Sequence, residues 1–368
     1  MLENWFAPIA MHQIVRAPLD AWQLGARIRV HAGDEFPSLK GVRLAIVGVG
    51  ASDADAVRSQ LFTLSFPFEG LKIADLGNIR NDNLSFLIPV LSELIQNRIL
   101  PLVIGNDLYF GLSLYKALAG IVGQLNLVLV DAEIPFQQHS TQERNEAFQA
   151  LLSSKESGLF HLSLLGYQTH YTSPETVRML ENMNADLLRL GMVKANLPEI
   201  EPFIRDGDLQ LVHINALKQA EAPGQVNPSP SGLTVEDSCQ ICRYAGMSDK
   251  LKAFGLFGFR HEYDHRNATS QAVAQMVWYF FDGFYHRKGD FPASFDGLVE
   301  YIVELKQADY PLTFWKSQKT GRWWIQAPAG TSDNPQRHHL IPCSYADYKM
   351  ACQDELPERL LSAFKRFF

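Results

Sequence analysis

Three short stretches carry side chains whose types and positions could do chemistry. LVHIN (211–215) ends in His213 and Asn215, DAEIP (131–135) holds Asp131 and Glu133, and GNDLY (105–109) holds Asn106 and Asp107. Each stretch sits at the end of a short apolar run, where a buried strand would open into a loop. Carboxylates and an imidazole at such places can ligate a divalent ion, or act as base and acid. The segment LVHINALKQAEAPG (211–224) therefore reads either as a metal-binding loop with altered ligands or as a loop without metal. A fourth stretch, RHEYDHR (260–266), crowds His261, Glu262, Asp264 and His265. It is either a rebuilt site or a solvated polar loop, and we take the second. His338 and His339 form a pair with less context.

Other chemical signals are missing. Cys239 and Cys242 make a C-x-x-C inside a helical stretch, and no second pair lies at zinc-finger distance, so buried helix thiols are expected. GVGASDA (48–54) departs from the G-x-G-x-x-G of a dinucleotide site. There is no G-x-S-x-G, no P-loop and no H-E-x-x-H.

The elements that must position these residues alternate in type. Apolar, branched runs at 42–49, 73–79, 100–105, 125–131, 159–167, 209–214 and 251–259 predict strands buried on both faces. Between them, 83–98 has Leu84, Leu87, Ile88, Leu91, Leu94 and Ile95 at helical spacing, and further helices are predicted near 109–121, 174–184, 235–245 and 268–286. This order predicts a three-layer α/β/α domain on a mainly parallel sheet of about eight strands. Ligands of such sheets sit beyond the carboxyl ends of the strands, where the polar stretches lie. From about residue 288 the pattern changes. LTFWKSQKTGRWWIQAP (312–328) predicts a hairpin turning at KTG, and the last residues are helical, so 1–288 is expected as the main domain and 289–368 as a small α+β appendage. Phe314, Trp315, Trp323 and Trp324 are either a binding or assembly face or packing against the main domain, which we favour.

Composition narrows the partners. The 368 residues are 46% hydrophobic and 20% charged, ordinary for a globular chain. A net charge of -7 and a pI near 5.9 argue against nucleic acid or an anionic membrane surface. No apolar run is long enough to span a membrane, and the first residues lack a basic start, so a cytoplasmic location is expected.

Several segments are similar to the ureohydrolases (arginases, agmatinases and formimidoylglutamases), and most of all to the Bacteroidetes-type formimidoylglutamase-like branch. They are GYQTHY (166–171), LLRLG (187–191), EPFIRDGDL (201–209), APG with SPSGL (229–233), CQICRYAG (239–246), VAQMVWYFFDGFYHRKGDFP (273–292), GRWWIQAP and HLIPCSYADY (339–348). The resemblance covers nearly the whole chain and implies the arginase-like fold. It also implies a pair of Mn²⁺ ions held between strand-end loops, hydrolysis of linear amidine or guanidine C–N bonds, and a possible homo-oligomer.

Matched to the family pattern, the site departs from it. The family's G-G-D-H-S is GNDLY here, with Leu108 at the histidine ligand and Asp107 at an aspartate that mainly supports its loop. Its D-A-H-x-D keeps Asp131 but has Glu133 and Pro135, and its S-F-D-x-D has His213 and Asn215. The catalytic glutamate matches Gly258. The six ligand positions fall from about -4 to about -2 in charge, too little to hold two divalent ions side by side. A pseudoenzyme binding a small amino-acid-like ligand is therefore expected, with no cofactor. The alternative is a hydrolase using Glu133 and His213, either metal-free or with one ion on Asp131, Glu133 and His213, as Zn²⁺ or Fe²⁺ would suit.

Overall fold

The apolar runs close into one large sheet. The structure is a computed structural model, and it describes residues 2–33, 35–134, 148, 152, 158–305, 311–327 and 340–367. Among these, ten strands form the main sheet: β1 (Phe6–Ala7), β2 (Arg29–Val30), β3 (Leu44–Val49), β4 (Ile73–Ile79), β5 (Leu100–Gly105), β6 (Leu125–Val130), β7 (Leu159–Tyr167), β8 (Asp186–Arg189), β9 (Leu209–His213) and β10 (Ala253–Phe257). Their order is β1-β4-β3-β5-β10-β9-β6-β7-β8, with β2 also beside β4. All pairs are parallel except β1 with β4. β1, β2 and β8 are additions to the expected set. They have two, two and four residues, too few for a periodic signal.

Alternation within the strands makes both faces apolar. In β3, Leu44 and Ile46 pack on one face, and Ala45, Val47 and Val49 on the other. The first face is covered by α1 (Ala51–Leu61), α4 (Val235–Met247) and α5 (Ala268–Tyr285), through residues such as Val57, Ile241 and Phe280. The second is covered by α2 (Leu84–Gln96) and α3 (Gly111–Val122), through Leu87, Leu91, Leu112 and Leu118. These are the three layers. A capping box fixes the start of α4: the Thr234 hydroxyl accepts the Asp237 N–H, and the Asp237 carboxylate accepts the Thr234 N–H.

The chain lays down β6, β7 and β8 before it returns to insert β9 and β10 between β5 and β6. The loops that follow β5, β10, β9 and β6 therefore stand side by side, which is the crevice where open parallel sheets place ligands.

A second sheet, antiparallel, follows: β11 (Leu298–Val303), β12 (Leu312–Ser317), β13 (Trp323–Gln326) and β14 (Leu340–Cys343), then α6 (Tyr345–Cys352) and α7 (Glu358–Phe367). The hairpin turns at KTG, where the Ser317 hydroxyl accepts the N–H groups of Lys319 and Thr320. Its aromatic residues divide by role. Phe314 and Trp323 belong to the appendage's own core, with Tyr301 and Tyr348 packed on it. Trp324 faces the main domain, with the Arg205 guanidinium 4.4 Å from its ring. Trp315 is half-buried and donates its indole N–H to Gln326. Among the described residues no helix is long and apolar enough to cross a membrane.

Candidate functional site

Strand register assembles the site. Gly105 of β5 stands beside Phe257 of β10, and Phe257 beside His213 of β9. On the other side of β9, Val212 stands beside Val130 of β6. One residue further along each strand come Asn106, Gly258 and Asp131, so these meet around His213.

Asp131 is the buried anchor, its side chain 2% exposed. Its Oδ1 accepts the Glu133 N–H at 2.9 Å, and its Oδ2 lies 3.4 Å from Nδ1 of His213. That approach is long, and Nδ1 is fully covered without a well-aligned hydrogen bond. The rest of the ring keeps some exposure, the side chain being 24% accessible. Burial on its own would lower the His213 pKa. The charge of Asp131 and the nearness of its carboxylate and of the Asn215 amide, with Asp107 adding to the field, outweigh burial and raise it, so the ring holds its proton more firmly than a free imidazole. Asn215 accepts the Ala132 N–H at 3.3 Å, tying the loop after β9 to the loop after β6.

Gly258 explains where the ring lies. Its φ is +89°, and a Cβ built there would fall 2.3 Å from Nε2 and 2.4 Å from Cδ2 of His213. The imidazole thus occupies the space that a side chain at position 258 would fill. On the far side, Asp107 accepts the Tyr109 N–H at 2.9 Å and caps the turn Leu108–Phe110. Leu108 is buried in the apolar core, and the Asn106 amide lies against Gly50.

Next to this pair is a cavity of about 320 Å³, lined by Glu133, Asn215, Tyr171, Asn227 and Ser229 among others. The hydroxyls of Tyr171 and Ser229 are 3.1 Å apart. A carboxylate, two amides and two hydroxyls make this wall polar and suited to an ammonium or amidinium group. Sequence reasoning missed Tyr171, Asn227 and Ser229 as site residues. They lie inside or beside GYQTHY and SPSGL, which signalled only the family.

The 260–266 loop is tied into the structure by its backbone and one carboxylate. Asp264 accepts the N–H groups of Thr269 and Ser270 at the start of α5, and the His261 N–H donates to Asp53. The His261 and Tyr263 side chains are exposed. Among the described residues no group of three or more His, Cys, Asp or Glu side chains is arranged to hold a metal ion. Cys239 and Cys242 are buried free thiols; burial pushes Cys239 up to about 12 and Cys242 well above its usual value. Pro135 and the His338–His339 pair lie outside the described residues.

Known proteins share this architecture. The arginase family profile matches residues 42–282. A guanidinobutyrase from Pseudomonas aeruginosa is 23% identical over 227 residues, spanning 58% of this chain and 71% of that protein. A formimidoylglutamase from Bacillus subtilis superposes with a TM-score of 0.62 at 19% identity, over 72% of this chain and 92% of that one. A formiminoglutamase from Trypanosoma cruzi, solved with Mn²⁺, gives 0.61 at 16% identity over 68% and 96%.

Proposed function

This chain belongs to the arginase family, and from that premise we propose that it has given up the family's dimanganese chemistry and uses the remaining cavity to bind a small amino-acid-like ligand. One observation carries the reading: the His213 ring lies against Asp131 and fills the space over Gly258. The donor set does not fit a pair of Mn²⁺ ions, which favour oxygen-rich, near-octahedral shells with bridging carboxylates. Leu108 offers no donor. Of the Asp131 oxygens, one takes a backbone N–H and the other faces the imidazole. The Asn215 oxygen takes a backbone N–H as well. These contacts engage Asp131 Oδ1 and the Asn215 oxygen with backbone N–H groups and set the His213 ring against Asp131 Oδ2.

In this reading Glu133 and Asn215 orient the ligand's cationic end at the 320 Å³ cavity, while Tyr171 and Ser229 offer hydrogen bonds to its polar remainder. A second reading keeps an enzyme: Glu133, in the cavity wall, would act as general base for hydrolysis of a linear amidine or guanidine C–N bond.

The test is to incubate the full chain with excess Mn²⁺, desalt it, and measure bound metal by mass spectrometry. Calorimetric titration with arginine, agmatine, glutamate and N-formimidoylglutamate follows on the same sample. Substoichiometric metal with saturable ligand binding and no product is expected. Two retained Mn²⁺ per chain, or turnover of any of the four, would sink the proposal.

A further inference from the structure

A larger cavity, of about 500 Å³, lies at the opposite end of the sheet, where the strands begin and the appendage packs on the main domain. Its size falls within the roughly 300–1,000 Å³ of small-molecule sites. One wall is apolar, made by Phe160, Phe291, Pro292, Trp324 and Ile341.

Most of the charge in the lining is spent within the protein. Lys250 is held by Asp206 at 2.9 Å and by Asp208 at 3.7 Å. Asp249 accepts the Asp290 N–H, and its charge faces the buried guanidinium groups of Arg287 and Arg322. Lys252 stands on the exposed rim. Arg205 differs from these. It is only 3% exposed, and its guanidinium lies 4.4 Å from the Trp324 ring. Nε donates to Glu201 at 2.9 Å, and Nη2 donates to the carbonyls of Trp323 and Cys343, both at 3.2 Å. Nη1 is buried and has no hydrogen-bond partner among the described residues. Glu201 does not belong to Arg205 alone: the same oxygen, Oε1, lies 3.1 Å from Nε of Arg322. Burial lowers the Arg322 pKa, and the charge of Arg205 lowers it further against the pull of Glu201. Two buried guanidinium groups thus share one carboxylate, and one of them lines the cavity with a donor left over. A buried donor on a charged group is costly until an acceptor reaches it.

We propose that this cleft between the sheet and the appendage is a binding site for a small aromatic monocarboxylate, its carboxylate accepting from Nη1 of Arg205 and its ring lying against Phe291 and the rest of the apolar wall. The carboxylate supplies the acceptor that the lining lacks, in a charge-assisted hydrogen bond. The ring covers the aromatic wall, for which an inorganic anion has nothing to offer. Asp206, Asp208 and Asp249 in the same lining oppose a second negative charge, so a phosphate dianion is the poorer fit. A cation would meet Arg205 with like charge. The site is separate from the cavity beside Glu133, so it stands or falls independently of the function proposed there.

Calorimetry on the full chain with 3-phenylpropionate and indole-3-acetate up to about 10 mM should show saturable binding. 3-Phenylpropionamide and phenethylamine, which keep the ring and lose the negative charge, should bind about tenfold or more weakly. Inorganic phosphate at the same concentration should not compete. Ala293→Trp, which places an indole at an exposed lining position, should abolish binding. Arg205→Gln should weaken it about tenfold or more, with circular dichroism to check that the variant folds. Because Arg205 also holds the appendage, Ala293→Trp and the uncharged amide carry the test if that variant does not fold. Asn215→Ala, in the other cavity, should leave binding unchanged. No saturable binding by either carboxylate overturns the proposal. So does equal binding of the amide, displacement by phosphate, or affinity that survives Ala293→Trp or a folded Arg205→Gln.

Discussion

Placing a methyl group at position 258 tests the packing around His213. In Gly258→Ala the new Cβ meets Nε2 and Cδ2 of His213 at 2.3 and 2.4 Å, on a backbone with φ of +89°. Left-handed backbone costs a non-glycine residue roughly 1–2 kcal/mol. Overpacking adds roughly 1–3 kcal/mol. The single variant should therefore lose about 2–5 kcal/mol. With ~2.1 cal/mol/K per residue, 368 residues unfold with about 0.8 kcal/mol/K, so Tm should fall by roughly 3–6 °C. His213→Ala has its own cost, because Asp131 keeps its burial and loses its imidazole. The double variant keeps the backbone strain and the lost partner but escapes the collision. It should be more stable than the sum of the singles predicts by about 1–3 kcal/mol, measured as a double-mutant cycle in urea. Additivity within about 0.5 kcal/mol would show that the ring does not sit over Gly258.

Further outcomes follow from the same contacts. The His213 pKa is raised, so its protonation stabilises the fold fully below the unfolded value near 6.5, and this contribution fades as pH rises through the higher folded value. The Tm gap between wild type and His213→Gln should be flat below about pH 6.5 and shrink on the alkaline side; a gap that widens there contradicts the assignment. Removing 289–368 takes away the carbonyls of Trp323 and Cys343 and the Trp324 ring from Arg205, a residue only 3% exposed. The truncated chain should lose several °C of Tm or aggregate, and an unchanged melting curve would show that the appendage is not part of the main domain's packing. Of the four cysteines, only Cys352 is exposed, so a thiol reagent should label one group quickly and the other three only after denaturation. Fast labelling of Cys239 or Cys242 would contradict their burial.

Much of the architecture was legible because the buried strands are uninterrupted apolar runs. LAIVGV and LNLVLV fill both faces of a covered sheet, as strands of a parallel, helix-flanked sheet do. β8 escaped because it has four residues, Asp186–Arg189, of which only Leu188 is buried. In the site, Asp131 and His213 could be paired from sequence, since both end strands at the same edge. The ring's seat over Gly258 could not. It depends on the parallel register of β9 with β10 and on a positive φ, which no local pattern announces. Tyr171 and Ser229 were hidden for a related reason: they reach the Glu133 cavity from two separate loops. Of the four aromatics expected to pack against the main domain, Trp324 meets Arg205 there, whereas Phe314 and Trp323 fill the appendage's own core; EPFIRDGDL, which holds Arg205, signalled the family and not this contact.

Position by position, Leu108 and Pro135 offer no side-chain donor and His213 puts an imidazole where the resemblance implies a carboxylate; in space, His213 answers the charge of Asp131. A unit pair at 3.4 Å interacts by roughly 5 kcal/mol at an effective dielectric near 20. An aspartate at position 213 would turn that attraction toward Asp131 into repulsion unless a cation stood between them. His213→Asp, which restores a family ligand, should therefore lower Tm by several °C in metal-free buffer, and more at pH 7 than at pH 4, where carboxylates begin to protonate. Added Mn²⁺ discriminates between a cavity that has closed on itself and one that still accepts an ion. Binding to the folded state alone would raise the variant's Tm in proportion to the logarithm of metal concentration. No such rise is expected, because Leu108 and Gly258 supply none of the further donors and Glu133 faces the neighbouring cavity. A Mn²⁺-dependent recovery of the variant to the wild-type Tm would mean that one substitution separates this chain from a working metal site, and the binding-protein reading would have to be abandoned.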